Sequence, residues 1–166
     1  MENWILLNEK EYDDIWNRFC KEFSFNPNTD NRNSYKVPSP FVIYDISDYF
    51  KGYWDDWDDE DHIDLENKLI SAFIECTNED DYIYALDWQH DGYWVNPRLE
   101  FIKDEFDEWL VPFFPNGDYY FFLQKDFEWG YLSHPWQRSI CIFGEKFVKS
   151  LRESKPKMLK RILSEG

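Results

Sequence analysis

The 166-residue sequence predicts an α+β domain: an antiparallel meander of five or six strands, covered on one face by N-terminal, central and C-terminal helices. Two observations predict it. Between Tyr82 and Gly144, short aromatic and β-branched runs are broken by Asp91-Gly92, Pro115-Asn116-Gly117-Asp118 and His134-Pro135, which are hairpin and turn signals. Outside that stretch, apolar residues recur at helical spacing. At this length one domain, residues 1–166, is expected.

The first helix is marked by Asn8 as cap, Glu11 three residues on for a capping box, and Leu7 with Tyr12 for a hydrophobic staple. Tyr12, Ile15, Trp16, Phe19, Cys20 and Phe23 then give one apolar face directed at the core. Residues 24–40, rich in Asn and Pro, read as a surface loop, and Phe41 to Ile46 as a strand. The acidic run DDWDDED at 55–61 precedes a second helix, with Asp61 as a plausible cap and Leu65, Leu69, Ala72, Phe73 and Cys76 on one side. Strands are expected near 82–88, 93–96, 110–114, 119–124, 129–133 and 138–143. Asn96-Pro97 resembles a cap and first helical position, and Leu99, Ile102, Phe106, Trp109 and Leu110 follow at helical spacing. A short helix inserted in the meander is therefore expected. Beyond Gly144 the chain reads as helical and basic, with Phe147, Val148 and Leu151 inward. After Pro156 a last turn carries Met158, Leu159, Ile162 and Leu163.

Composition narrows the function classes. The formal charge is −16, and residues 145–166 carry seven Lys/Arg against three Glu, which leaves about −20 on residues 1–144. Such a field repels nucleic acid and anionic membrane and attracts basic proteins. Aromatic residues reach 21%, more than a small core uses, so part of the Trp and Tyr content is expected at an interface. Cys20, Cys76 and Cys141 form no CxxC pair and fall on apolar phases, as reduced core thiols of a cytoplasmic protein would. The first apolar run, Trp4 to Leu7, is too short for a signal peptide or a span.

Two turn clusters hold the polar side chains suited to chemistry: Asp87-Trp88-Gln89-His90-Asp91 and Ser133-His134-Pro135-Trp136, with Asp118 and Asp126 bordering neighbouring turns. Asp87, His90, Asp118 and His134 are the catalytic candidates, since two histidines meeting an aspartate make a metal site or an acid–base pair. No HxH, HExxH, GxSxG, CxxC or phosphate-loop pattern accompanies them, so no metal or other cofactor is expected. Such residues also lock hairpins by satisfying backbone groups.

YALDWQH (84–90), FFPNGDYYFFL (113–123), HPW (134–136) and ICIFG (140–144) resemble a bacterial family, domain of unknown function 2716. The resemblance takes in the N-terminal helix and, most specifically, residues 82–144. It implies bacterial origin and no mechanism. Asp87, His90, Asp118 and His134 match the family's motif, whereas Gln137 stands where an acidic residue often follows HPW, which argues against a catalytic carboxylate there.

The reading that joins charge, surplus aromatics and the lack of a catalytic pattern is a module that binds a basic protein. Its most concrete form is an immunity protein against a nuclease-like toxin, with the free chain a monomer or weak homodimer. Asp55, Asp56, Trp57, Asp58, Asp59 and Glu60 are the expected binding surface, a large aromatic ringed by carboxylates. The rival readings are a metal-assisted hydrolase built on the His90 and His134 turns, and a nucleic-acid mimic that blocks a DNA-binding protein.

Overall fold

The computed structural model describes residues 2–27, 34–50 and 59–166. Eight strands form one fully antiparallel sheet: β1 (Ile5–Leu6), β2 (Phe41–Asp45), β3 (Ile83–Asp87), β4 (Gly92–Val95), β5 (Tyr120–Gln124), β6 (Gly130–His134), β7 (Ser139–Phe143) and β8 (Arg161–Glu165). Their order is β1-β4-β3-β5-β6-β7-β2-β8. The expected meander is its centre, β4-β3-β5-β6-β7. The two outermost strands extend it beyond five or six.

Helix α1 (Glu9–Phe23) begins as its sequence dictates: Glu11 N–H donates to the Asn8 side chain at 2.8 Å, and Asn8 N–H donates to the Glu11 carboxylate at 3.0 Å. Leu7 is buried with Tyr12 packed beside its cluster. Helices α2 (Asp59–Glu75) and α3 (Glu145–Glu153) complete the set, with a short 3₁₀ turn at Ser47–Phe50.

The helices do not share a face. Phe19 of α1 lies 4.8 Å, centroid to centroid, from Phe121, whereas Phe73 of α2 lies 5.6 Å from the next residue of the same strand, Phe122. Side chains alternate across a strand, so α1 covers one side of the sheet, and α2 with α3 the other. On the second side Phe73, Trp129 and Phe147 stack nearly parallel at centroid spacings of 5.9, 4.7 and 5.7 Å, tying both helices to the sheet. Each residue of β7 is buried, as a strand covered on both faces requires.

Further expectations are corrected. Residues 97–118 hold neither the helix at 97–110 nor the strand at 110–114; the segment is irregular, with a single bridge between Lys103 and Trp109. Asn96 makes a turn instead of a cap, and the guanidinium of Arg98 is drawn onto the end of α2, donating to the Ile74, Thr77 and Asn78 carbonyls and the Thr77 hydroxyl at 2.7–2.9 Å. The Ile74 carbonyl belongs to the last turn of α2, and those of Thr77 and Asn78 to the turn that follows it, so Arg98 braces the helix C-terminus. Asp104 then accepts from the N–H groups of Phe106 and Glu108, folding the chain back on itself. The C-terminal residues after Pro156 form β8, not a helical turn, because β2 offers an open edge whose backbone groups need partners. Cys20 is exposed, flanking the buried stripe of Ile15, Trp16, Phe19 and Phe23 instead of joining it; Cys141 is fully buried and Cys76 intermediate. In the Asn/Pro-rich loop, Phe25 and Ser34 are buried, so part of that segment belongs to the core on the α1 side.

Candidate functional site

β3 ends at Asp87, which lies opposite Tyr120 in the sheet register, so the turn after β3 and the turn before β5 meet at one end of the sheet. Trp88 N–H donates to the Tyr119 carbonyl at 3.1 Å and fixes that junction. Gln89 takes a positive φ of 65°, and His90 N–H closes the turn on the Asp87 carbonyl at 3.0 Å. Asp118 is held by Tyr119 N–H, which donates to its carboxylate at 2.8 Å.

These constraints bring Asp87, His90 and Asp118 together. His90 Nδ1 lies 3.1 Å from Asp87 Oδ1, 3.1 Å from Asp118 Oδ2 and 3.0 Å from the Trp88 carbonyl oxygen. The imidazole is 66% exposed, whereas the two carboxylates are only 17% and 16% exposed. Burial, the hydrogen bond shared with Asp118 and the charge of Asp118 push the Asp87 carboxyl up to about 7, with His90 opposing. The charge of Asp87 in turn raises the His90 imidazole above its ordinary value. Two carboxyls and an imidazole in this state can exchange a proton near neutrality or ligate a cation.

His134 lies outside this set. At the end of β6 it is 2% exposed, between the rings of Tyr119 at 5.0 Å and Tyr35 at 5.9 Å. Its Nδ1 accepts from Gln137 N–H at 3.0 Å, which leaves the proton on Nε2, a buried atom with no hydrogen-bond partner. Burial lowers the imidazole to about 4. Gln137 thus serves the turn, through its N–H and by accepting from the Ser139 hydroxyl at 2.6 Å. Asp126 belongs to another turn, where its N–H donates to the Gln124 side chain.

Of the acidic run, Asp55, Asp56, Trp57 and Asp58 lie outside the described residues, as does the Asp59 side chain; Glu60 is exposed on the first turn of α2. Asp61 is not the cap but a residue inside that turn, where it accepts from the Tyr49 hydroxyl at 2.7 Å. The next turns of α2 form one wall of a groove of about 360 Å³, and the irregular 97–118 segment forms the other. Ile63, Glu66, Phe106, Glu108, Trp109 and Phe113 line it. Phe106 is 75% exposed and Ile63 54%. Trp109 is buried and donates from its indole to Glu66 at 2.8 Å. Burial first, then the charge of Asp104, raises the Glu108 carboxyl. Phe106 follows Leu99 and Ile102 at helical spacing, which puts it on a helix that the chain does not form. The signal that finds it is DEFDE at 104–108, an aromatic ringed by carboxylates, the same pattern that drew attention to Trp57.

Among the described residues no helix is long and apolar enough to cross a membrane. A family model described as "Protein of unknown function (DUF2716)" matches residues 6–148. The chain is also similar to "Uncharacterized protein YxiI" of Bacillus subtilis (strain 168), at 40% identity over 157 residues that span 94% of this chain and 96% of the relative. No solved structure matches it significantly. The likeness takes in α1 and the whole β3–β7 core, and the chain belongs to the DUF2716 family.

Proposed function

We propose that the protein is an acidic binding module for a basic protein, in its most concrete form an immunity protein that neutralises a nuclease-type toxin in the cytoplasm. The observation that carries this reading is Phe106, a large aromatic 75% exposed at the rim of the α2 groove. Exposed aromatics beside a cleft are the anchors on which binding energy concentrates. Charge selects the partner. The groove lining carries Glu66, Asp107 and Glu108 against Lys103 alone, within a chain of net charge −16. Lys103 is already engaged by Glu66 and Asp107 at 3.5 and 3.6 Å. Glu108, with its raised carboxyl, gains most from an arriving lysine or arginine. In the sequence the acidic run at 55–60 leads into the same helix, and its carboxylates add to the chain's negative field that steers a basic partner. The partner is therefore a basic segment presenting one apolar side chain, and the free chain is a monomer or weak homodimer.

The test is a photo-crosslinking residue at position 106, with one at Lys10 on the exposed side of α1 as control, introduced in the native host. Position 106 is expected to capture one strongly basic protein that position 10 does not. With that protein purified, Phe106→Ala should speed dissociation by about 30-fold, or about 2 kcal/mol, and Glu108→Gln should flatten the salt dependence of association. Equal capture from both positions, or unchanged kinetics in both variants, overturns the reading. A captured DNA-binding protein that duplex DNA displaces assigns the module to nucleic-acid mimicry instead.

A further inference from the structure

We propose that Asp87, His90 and Asp118, with the main-chain oxygen of Trp88, form a binding site for one divalent cation of the Mn²⁺ or Zn²⁺ type. The site shares no lining residue with the groove at Phe106, and it replaces the expectation that the chain binds no metal. That expectation rested on sequence spacing. The fold instead assembles the donors from two separate turns, one after β3 and one before β5, joined by the Asp87–Tyr120 register and the Trp88–Tyr119 hydrogen bond.

Donor spacing is the first argument. Ligand atoms about 2.1 Å from a cation sit about 3.0 Å apart when adjacent in an octahedron and about 4.2 Å apart when opposite. The three oxygens lie 3.0–3.1 Å from His90 Nδ1, and the Asp87, His90 and Asp118 donor atoms all fall within 4.8 Å of one another. Charge is the second. Two carboxylates with side chains under 20% exposed are largely withdrawn from water, and among the described residues neither meets a lysine or arginine. With the imidazole neutral and both carboxyls deprotonated the set carries −2, which one divalent cation cancels. The imidazole nitrogen among oxygen donors favours a first-row transition ion over Mg²⁺ or Ca²⁺. Exposure of His90 leaves the remaining coordination positions open to water or to an anionic group of a partner. A bound ion also fastens the 87–92 turn to the 115–118 turn, next to the buried His134, whose ring packs against Tyr119.

The protein, dialysed against EDTA and then against metal-free buffer, is titrated with MnCl₂ by electron paramagnetic resonance and with ZnCl₂ by calorimetry. One equivalent of Mn²⁺ or Zn²⁺ is expected to bind. Asp118→Asn should weaken that affinity by about 100-fold and His90→Gln by at least 10-fold, with His134→Asn as the variant that retains binding. Far-UV circular dichroism and the melting temperature in EDTA show that Asp118→Asn is folded; removing one of two facing carboxylates should leave its Tm unchanged or raised. No stoichiometric binding of either ion up to 1 mM, or equal affinity in wild type, Asp118→Asn and His90→Gln, overturns the proposal.

Discussion

Phe19→Ala is expected to lower the unfolding free energy by about 4–5 kcal/mol, the upper end for a buried aromatic truncation. Phe19 is fully buried and contacts Trp16, Phe23, Phe25, Phe121 and Phe127 at centroid distances of 5.9, 4.8, 5.4, 4.8 and 6.0 Å. Those five rings come from α1 itself, the segment after it, β5 and the turn before β6. They are anchored separately, so none can collapse into the vacated space without disturbing another element, and the cavity cost stays nearly whole. Trp16→Ala should cost less, about 3 kcal/mol, although the side chain is larger. Its indole N–H is buried without a partner, and truncation removes that unfavourable group with the apolar area. Urea denaturation at neutral pH measures both. A loss under 2 kcal/mol for Phe19→Ala means that α1 can reseat on the sheet, and that the ring cluster does not fix it.

The same ring cluster explains what the sequence made legible. Turn residues and aromatic runs locate β3 to β7 within a residue or two, and the capping box locates α1, because both signals are local. Coverage of both faces was also written locally: YFFLQ and SICIF are continuous apolar runs without alternation, the pattern of strands buried on either side. Placing all helices on one face contradicts that pattern. The segment 97–110 failed for a different reason. Leu99, Ile102 and Phe106 recur at helical spacing, yet Ile102 and Phe106 are exposed at 44% and 75%, so the period marks no buried stripe. Arg98 is instead committed to the end of α2 and Asp104 to a turn, tertiary and side-chain demands that override periodicity. β1 and β8 have no local signature, since a two-residue strand and a fully exposed one exist by pairing with β4 and β2. Asp87 and His90 share a turn in the sequence, but Asp118 joins them only through strand register, which no spacing motif encodes.

His134 should make the protein lose stability as pH falls from about 6.5 toward 4. An imidazole titrates near 6.5 in the unfolded chain, and burial holds it at about 4 in the folded one. The unfolded state therefore binds more protons in that window, so stability is complete above the unfolded value and declines as pH drops through the folded one. The whole difference corresponds to about 3 kcal/mol, of which about 2.5 kcal/mol is lost by pH 4.5. The cause is geometric. Nδ1 is occupied by Gln137 N–H, so a second proton can enter only by breaking that hydrogen bond among the rings of Tyr35 and Tyr119. His134→Asn offers a side-chain oxygen to Gln137 N–H and cannot charge. Its cavity cost is independent of pH, so the quantity to measure is the gap between wild type and variant by urea denaturation at pH 7 and pH 4.5. Asp87 and His90 titrate in both proteins and cancel from that gap. Wild type is expected to exceed the variant at pH 7 and to lose about 2.5 kcal/mol of that advantage, or reverse it, at pH 4.5. A gap that stays constant between the two pH values means that His134 takes up its proton in the folded state with a pKa near 6.5, and that its pocket is open to water.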